Sequence, residues 1–284
     1  MTLAIRPLTP TFAAEVSGVD VRAPISEAAA TAISEALARH LVLVLPGAPI
    51  TDEQQIAFSR HFGPLEMTQG ANPSAGTVFA RQSNIDLDTG GTIPAGDRRM
   101  LYQKANMLWH SDSSFKQVLS RCSILSARAI PAVGGATEFG STRAAYASLN
   151  AAQQRDLAEV MVEHDIVYSR RLVGFTFTPE ETQSFKGYQH KLVQECAITG
   201  KKAVLIGAHA KAIVGWPEDK SRALLDDLLA RATRPENSYR HEWRNGDVVV
   251  WDNRAVVHRA TPYDGASYRR LMQRTTISMG DRLA

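Results

Sequence analysis

Apolar and polar residues alternate along the chain with the periods of two kinds of element. Between residues 25 and 40, apolar side chains recur every four positions as Ala29, Ile33 and Leu37, which is the spacing of one face of a helix. Residues 41–45 are apolar throughout and are followed by a Pro-Gly pair, as is typical of a buried strand that ends in a turn. The pattern therefore predicts a helix that leads directly into a buried strand.

Capping and turn residues mark further elements. A capping-box pattern begins at Thr51 and predicts a helix that ends before Gly63. Pro217 opens another helix, whose leucines form one apolar stripe, and residues 143–162 are predicted to be helical with a break near Asn150. Apolar runs bounded by turn residues predict strands at 122–130, 137–139 and 203–206.

The Asn245-Gly246 pair has the signature of a tight hairpin between strands at 241–243 and 247–251. The predicted strands are short and numerous, the helices are few, and the sequence has no G-x-G-x-x-G pattern of a dinucleotide-binding fold. We therefore predict a mainly β fold with flanking α-helices, closed as a double-sheet barrel. We expect a single domain that spans residues 1–284.

Two long intervals lack a clear period. Residues 66–104 contain scattered Gly, Pro, Asn and Asp over a length that is unusual for a connection, so they form either a functional loop or short strands without a recognisable pattern. Residues 169–195 mix glycine and proline with aromatic residues. Each interval is a candidate cover for a substrate site, and the sequence does not decide between them.

The composition argues against several classes of protein. The formal net charge is only +3 and Lys and Arg form no concentrated basic stripe, so nucleic acid is not an expected partner. Residues 1–7 have no apolar leader, and no run approaches the roughly 18 apolar residues of a membrane span, so we expect neither export nor a membrane location. Cys122 and Cys196 stand outside any C-x-x-C pattern, which fits a reducing cytoplasm.

Candidate metal ligands stand at two distant places in the chain. His110 and Asp112 form an H-x-D pair, which on a strand would turn both side chains to one face, and His258 follows much later. Two histidines and one carboxylate bind one face of an octahedral metal and leave the other positions open, as in non-haem Fe(II) oxygenases. We therefore predict that these three residues converge on iron.

Two arginines provide a second signal. Residues 269–277 are predicted to form a strand that carries Arg270, Met272 and Arg274 on one face. Guanidinium groups on a buried strand are destabilising unless anions meet them. The alternative interpretation is that both arginines are solvated at an exposed sheet edge. A metal site nearby makes it more favourable for them to bind anionic ligands.

Five motifs follow one another in a fixed order along the chain. They are Leu108-Trp109-His110-Ser111-Asp112-Ser113-Ser114-Phe115, Gly134-Gly135-Ala136-Thr137-Glu138-Phe139, Val250-Trp251-Asp252-Asn253-Arg254, His258-Arg259, and Arg269-Arg270 with Arg274-Thr275. This ordered set resembles the family of Fe(II)- and 2-oxoglutarate-dependent oxygenases that contains the taurine and phenoxyacetate dioxygenases. The resemblance extends from about Thr51 to Ile277. It implies a double-stranded β-helix, the jelly roll of cupin-like proteins, with helices packed outside.

The resemblance also implies the roles of the metal and cosubstrate residues. His110, Asp112 and His258 would bind Fe(II). Thr137 would donate a hydrogen bond to the 2-oxoglutarate carboxylate beside the metal, and Arg270 would pair with the distal carboxylate. With O2 as the second cosubstrate, the products would be a hydroxylated substrate, succinate and CO2.

Two further residues are implied to contact the prime substrate. Arg274 would bind its anionic head and could share in binding the cosubstrate. Asn106 would line the pocket, because it aligns with a position that lines the substrate pocket in the taurine enzyme; it also shares a strand face with His110 and Asp112 if that strand is regular.

The motifs indicate a substrate class as well. Residues 109–115, 143–146 and 206–210 look closer to the phenoxyacetate enzymes than to the taurine enzyme, which implies hydroxylation of an aryloxyalkanoate. An alkylsulfonate is the alternative, because an arginine pairs with either anion. A zinc hydrolase would not need Thr137 or the two arginines, and a non-catalytic metal-binding barrel would keep the core but need no cosubstrate turnover. The expected partner is therefore a small anionic organic substrate, and a homo-oligomer is left open.

Overall fold

The structure is a computed structural model that describes residues 3–47, 49–69, 72, 74–86 and 88–280. Positions 70, 71, 73 and 87 of the predicted 66–104 cover, and both ends of the predicted 1–284 domain, lie outside the described residues.

Most helices begin where a side chain caps them. They are α1 (Glu27–His40), α2 (Asp52–Arg60), α3 (Arg98–Lys104), α4 (Thr142–Ala147), α5 (Ala151–Leu157), α6 (Ile166–Arg171), α7 (Pro179–Ser184) and α8 (Glu218–Ala232), with 3₁₀ turns at Ala105–Met107 and Pro235–Asn237. Thr51 and Gln54 form the predicted capping box, with hydrogen bonds of 2.8 and 3.2 Å. Asn150 caps α5, so the predicted break within 143–162 is confirmed. Pro217 immediately precedes α8, also as predicted.

The strands are short, as the sequence predicts. They are β1 (Ala4–Pro7), β2 (Ala14–Ser17), β3 (Val42–Leu45), β4 (Phe79–Ser83), β5 (Ser120–Ala129), β6 (Thr137–Ser141), β7 (Met161–His164), β8 (Tyr188–Lys191), β9 (Val193–Glu195), β10 (Lys202–Val204), β11 (Ala210–Ile213), β12 (Ser238–His241), β13 (Val248–Asp252), β14 (Val256–Ala260) and β15 (Leu271–Ser278).

Two sheets form the centre of the fold. The larger sheet has the strand order β1-β2-β3-β13-β5-β15-β4, and the smaller has the order β12-β6-β14. Their pairs are antiparallel except for β2 with β3. The remaining strands of the described chain pair as β11-β7-β8 and β10-β9.

Apolar side chains from both sheets meet between them. Leu125, Trp251 and Met272 of the large sheet pack in one buried cluster with Phe139 and Val256 of the small sheet. A second cluster, on the other face of the large sheet, holds α1 and α2 against it. This double-sheet arrangement with outer helices confirms the predicted jelly roll.

The predicted hairpin at Asn245-Gly246 is wrong. The chain does turn there, because the amide of Asp247 donates to the carbonyl of Arg244 at 3.0 Å and Gly246 has a φ of 88°. However, β12 pairs with β6 in the small sheet, whereas β13 lies between β3 and β5 in the large sheet. The turn carries the chain from one sheet to the other, and a local turn pattern does not distinguish this from a hairpin.

The predicted strand through His110 and Asp112 is also wrong. His110 makes a single bridge to His258, while Asp112 stands in a turn and Asn106 in the 3₁₀ turn before it. Ser113 has a φ of 56°, which bends the chain away from an extended path. Asn106 therefore does not share a strand face with the two candidate ligands.

Short elements lie within both long intervals; short strands were one of the two alternatives given for 66–104, whereas the elements of 169–195 were not predicted. The interval 66–104 contains β4 and α3, and 169–195 contains α7, β8 and β9. The strand β7 also occupies the end of the predicted helical stretch 143–162. The longest helix, α8, has 15 residues, and none in the described part of the chain has both the length and the apolar character that a membrane crossing requires.

Candidate functional site

The backbones of two candidate ligands are joined directly. The amide of His110 donates to the carbonyl of His258 at 3.0 Å, and the amide of His258 donates to the carbonyl of His110 at 2.8 Å. His258 lies within β14, so this reciprocal pair anchors the irregular segment around His110 to the small sheet.

The three predicted ligand side chains converge. One ligand atom from each of His110, Asp112 and His258 lies within 4.8 Å of the others, and all three residues are buried. The Nε2 of His110 is 3.7 Å from Oδ1 of Asp112, and the Nε2 of His258 is 3.6 Å from Oδ2. These separations are those of donors arranged around a common point, which is what a single metal ion requires.

Hydrogen bonds fix the orientation of the group. The Nδ1 of His110 lies 2.8 Å from the carbonyl oxygen of Leu108, which fixes the proton on Nδ1 and leaves Nε2 with its lone pair. Oδ2 of Asp112 accepts from Oγ of Ser123 at 2.7 Å, and Ser123 in turn accepts from Asn253 at 2.9 Å. Both ring nitrogens of His258 are buried without a partner in the described chain.

Electrostatics favour the ligand forms of these side chains. Burial lowers the pKa of His110 and lowers the pKa of His258 well below its ordinary value, so both imidazoles are neutral at pH 7. Burial alone raises the pKa of Asp112, but the Arg274 guanidinium and the two imidazoles outweigh it and bring this pKa to about 2. Neutral imidazoles and an ionised carboxylate are the forms that bind a divalent metal.

Arg274 reaches the same group from β15. One of its terminal nitrogens contacts Oδ1 of Asp112, and its Nε has no partner in the described chain. The predicted face of this strand is observed, since Met272 is buried in the core between the sheets and Arg274 borders the metal ligands. Arg274 therefore stands beside the predicted iron site.

Arg270 is buried without a carboxylate partner in the described chain. It is 4% exposed, its Nε has no acceptor, and its terminal nitrogens reach only carbonyl oxygens, of Gln82 at 3.4 Å and Gly135 at 3.5 Å. Tyr263 stacks near its guanidinium. Burial lowers the pKa of Arg270 to about 10, so the side chain remains charged at pH 7. A buried guanidinium in this state is a site for an anion.

Thr137 opens β6 and is buried. Its Oγ1 accepts a hydrogen bond of 3.0 Å from the indole Nε1 of Trp243. An indole is only a donor, so the hydroxyl proton of Thr137 is left for another acceptor.

Asn106 lies where two cavities adjoin. It lines the cavity that contains Arg270 and also the cavity that contains His110 and Asp112. Gln82 lines both cavities as well. The structure thus brings six of the seven predicted site residues into adjoining space, while Thr137 is buried in β6 outside the lining of both cavities, and Asn106 arrives through a 3₁₀ turn rather than a strand.

Both candidate covers border the cavity with the metal ligands. Glu66 and Met67 come from the first interval, and Arg170 and Phe185 come from the second. The two covers also contact each other, because Arg98 in α3 forms hydrogen bonds of 3.1 and 2.5 Å with the carboxylate of Glu181 in α7.

Several residues of the site were missed by sequence reasoning. Ser123, Trp243 and Arg170 are separated from the motifs along the chain, and their positions depend on tertiary contacts. The sequence indicated Gly207 only weakly, through its place in the 206–210 segment that resembles the phenoxyacetate enzymes. Its φ is 116°, and an added Cβ would lie 2.9 Å from the Cα of His110.

Comparison with known proteins supports the same assignment. The sequence model of the family described as taurine catabolism dioxygenase TauD, TfdA family matches residues 4–276. The chain is 39% identical over 284 residues to the alpha-ketoglutarate-dependent 2,4-dichlorophenoxyacetate dioxygenase of Cupriavidus pinatubonensis, with 98% of each chain covered. It is 35% identical over 285 residues to the (S)-phenoxypropionate/alpha-ketoglutarate-dioxygenase of Sphingobium herbicidovorans, covering 96% of this chain and 94% of that protein.

A solved structure has the same fold. The crystal structure of AAD-2 in complex with Mn(II) and N-oxalylglycine matches with a TM-score of 0.90 and 38% identity, covering 99% of this chain and 98% of that one. The predicted enzyme class, a 2-oxoglutarate-dependent non-haem iron dioxygenase, and its cosubstrates are confirmed. The alternatives of a zinc hydrolase and a non-catalytic barrel do not fit these relatives. The chain belongs to the taurine catabolism dioxygenase TauD, TfdA family.

Proposed function

We propose that this dioxygenase hydroxylates an aryloxyalkanoate at the carbon between the ether oxygen and the carboxylate. The observation that carries the proposal is a cavity in which the metal ligands His110 and Asp112, the arginine Arg274 and aromatic side chains all face one space. The relatives named for 2,4-dichlorophenoxyacetate and phenoxypropionate support this substrate class. An alkylsulfonate remains the second candidate, supported by the 27% identical structure described as a taurine dioxygenase from Burkholderia xenovorans.

His110, Asp112 and His258 would hold Fe(II). The unpartnered nitrogens of His258 and the oriented Nε2 of His110 are suited to this ion, and the carboxylate of Asp112 supplies a negative charge. When bound, iron and 2-oxoglutarate supply the oxidation of a C–H bond by O2. The protein contributes ligand geometry, a site shielded from water and groups that bind the anions.

Arg270 and Thr137 would orient the cosubstrate. A dicarboxylate that spans from the metal towards Arg270 would provide the missing counter-ion of this buried guanidinium. Thr137, with its oxygen already occupied as an acceptor by Trp243, would donate its proton to the carboxylate nearer the metal.

Arg274 and Asn106 would contact the prime substrate. Arg274 has a free Nε beyond its contact with Asp112, so the guanidinium can bind a second anion from the cavity. Phe115 and Phe185 line the same cavity and would contact the aryl ring.

The product chemistry follows from the position of the new hydroxyl. A hydroxyl on the carbon that also carries the ether oxygen makes a hemiacetal. Its collapse breaks the carbon–ether bond, transfers the hydroxyl proton to the departing oxygen, and yields a phenol and a 2-oxo acid. Succinate and CO2 are the coproducts of the cosubstrate.

The remaining predictions belong to the same proposal. We infer a single catalytic domain over residues 1–284 and a cytoplasmic location, in keeping with two cysteines that are both free and buried. Nucleic acid is not an expected partner, and the possibility of a homo-oligomer is open.

A substrate panel tests the proposal. Phenoxyacetate, both enantiomers of 2-phenoxypropionate, an alkylsulfonate and an aliphatic carboxylate would be incubated with the enzyme, Fe(II), 2-oxoglutarate, ascorbate and O2. We expect succinate and phenol to form in equal amounts with an aryloxyalkanoate. Succinate formation that is stimulated only by the sulfonate would overturn the aryloxyalkanoate proposal.

A ligand variant separates the metal assignment from the substrate assignment. We expect His258→Ala to remain folded by circular dichroism, because its ring contacts one apolar cluster only at the edge, through Trp251 and Phe139, and to lose both turnover and Mn(II) binding in equilibrium dialysis. His61→Ala, at an exposed position, is the matched control. Retention of Mn(II) affinity by His258→Ala would refute the metal assignment.

A further inference from the structure

Arg170 is a buried cation in the wall of the substrate cavity. It lies in α6, is 7% exposed, and lines the same cavity as His110, Asp112 and Arg274. Its guanidinium stacks over the ring of Tyr102, with the central carbon 4.3 Å from the ring centroid. Stacking uses the face of the guanidinium and leaves the N–H groups in its plane available as donors.

No carboxylate in the described chain forms an ion pair with Arg170, and its buried Nε has no hydrogen-bond acceptor there. Two other arginines, which are largely but not fully buried, are met by an acid. Arg254 forms two hydrogen bonds with Asp252, of 2.9 and 2.7 Å, and Arg274 contacts Asp112. Arg170 therefore resembles Arg270, the other buried arginine for which an external anion is proposed.

The charges that line the cavity leave one cation unbalanced. Lys116 is paired with Glu66 at 2.6 Å, and Arg274 with Asp112. Arg170 is the remaining charged side chain of the described lining. Removing a guanidinium from water is more destabilising than a single cation–π contact is stabilising. Stacking on Tyr102 alone does not account for a charge at this position.

We propose that Arg170 binds the carboxylate of the prime substrate, together with Arg274, and so selects for anionic substrates. Arg274 is shared between the metal ligand Asp112 and the substrate, while Arg170 is committed to the substrate. This inference rests on the proposed function and adds a specificity-determining residue to it. Substrates that lack a negative charge would leave Arg170 buried without an anion and would bind weakly.

Binding to an unreactive complex tests this directly. The full chain would be loaded with Mn(II) and N-oxalylglycine and titrated by calorimetry with phenoxyacetate and with its neutral amide. We expect Arg170→Gln to raise the Kd for phenoxyacetate by roughly 30-fold or more, the effect of removing one partner of a buried charge pair, and to leave the Kd for the amide within about threefold. Arg170→Lys should recover part of the loss, because an ammonium keeps the charge without the planar fork.

Two controls isolate the charge from the fold. Arg171→Gln changes the exposed neighbour in the same helix and should leave both Kd values unchanged. Tyr102→Leu removes the stacking partner but keeps the cation. It should therefore lower the melting temperature, and it should raise the Kd for phenoxyacetate less than Arg170→Gln does. If Arg170→Gln does not fold, the selective loss of phenoxyacetate binding in Arg170→Lys carries the test.

The outcomes distinguish this inference from the proposed function. Unchanged phenoxyacetate binding in Arg170→Gln, or equal losses for phenoxyacetate and the amide, would overturn the role of Arg170. If the wild-type enzyme binds an alkylsulfonate but no aryloxyalkanoate, the proposed substrate class fails. The same variants titrated with that sulfonate then decide the role of Arg170 independently.

Discussion

The indole Nε1 of Trp243 donates a hydrogen bond of 3.0 Å to Oγ1 of Thr137, and this contact joins the residue before the sheet-crossing turn to the first residue of β6. The contact fixes both the position of Thr137 and the direction in which its own proton can point. Trp243 would therefore act as a positioning residue for the cosubstrate without touching it.

Replacing Trp243 should weaken cosubstrate binding. We expect Trp243→Phe to raise the Kd for N-oxalylglycine in the presence of Mn(II) by about 3- to 10-fold, the range of one hydrogen bond in free energy. Thr137→Val should have at least as large an effect, and the double variant should be no worse than Thr137→Val alone. Additive losses would show that Trp243 acts by another route. Trp216→Phe, at a position that is 42% exposed, is the control.

Replacing Arg270 should separate stability from cosubstrate binding. The guanidinium is buried without a carboxylate partner in the described chain, so its charge destabilises the protein when no anion is bound. We expect Arg270→Met to raise the free energy of unfolding of the ligand-free protein by on the order of 1–4 kcal/mol in urea denaturation, and to raise the Kd for N-oxalylglycine roughly 30-fold or more. The exposed Arg269→Met should change neither quantity. A ligand-free Arg270→Met protein that is less stable than wild type would contradict the assignment of this arginine to an anion site.

A glycine should control the position of a metal ligand. Gly207 has a φ of 116°, and an added Cβ would lie 2.9 Å from both the Cα of His110 and the carbonyl oxygen of Trp109. We expect Gly207→Ala to displace His110 and to lower Mn(II) affinity about 10- to 100-fold, the range for loss of a group that supports a metal ligand. Equilibrium dialysis of Mn(II) measures this effect.

Gly215 provides the matched control for that variant. Its φ is 78°, and an added Cβ would meet no atom within 4 Å. Gly207→Ala and Gly215→Ala therefore share the backbone strain of a left-handed residue, about 1–2 kcal/mol, but only the first pushes on a ligand. Equal Mn(II) affinities in the two variants would mean that His110 is not held by contact with Gly207.

The sequence predicted most strongly the features that are encoded locally or by ordered motifs. The capping box at Thr51 and the helix before β3 are local patterns, and both are observed. The three candidate ligands were found because H-x-D and a later histidine occur within ordered motifs, even though the strand expected to carry them is a bridge and a turn. The chemistry was predictable while the local backbone was not.

The features that escaped prediction depend on tertiary contacts. Asn245-Gly246 forms a turn in either a hairpin or a sheet-crossing connection, and only the pairing of β12 with β6 decides which. Arg170 lies in a short helix outside the quoted motifs, and its burial without an anion becomes visible only once α6 is packed against Tyr102. An arginine in sequence is usually a surface residue, so composition alone gives it no significance.

Buried histidines should make the protein less stable in mild acid. Burial lowers the pKa of His164 to about 3, and the nearby His190 lowers it further, whereas the ordinary value is 6.5. Below about pH 6.5 the unfolded chain binds a proton at this position and the folded protein does not. The free energy of unfolding therefore decreases by about 1.4 kcal/mol for each unit by which the pH is lowered. The loss continues down to about pH 3, and above about pH 7.5 this histidine contributes no pH dependence.

Urea denaturation of the metal-free protein between pH 5 and pH 8 measures this slope. His164→Asn loses packing and the contact of Nδ1 with Ser114, so it should be less stable than wild type at pH 8. As the pH is lowered from 6.5 to 5, however, the free energy of unfolding of His164→Asn should decrease less steeply than that of wild type. The two slopes should differ by the contribution of one proton, because the variant lacks the titrating group. His61→Asn, at an exposed position, should retain the wild-type slope. Parallel curves for wild type and His164→Asn would show that His164 is not held neutral by burial.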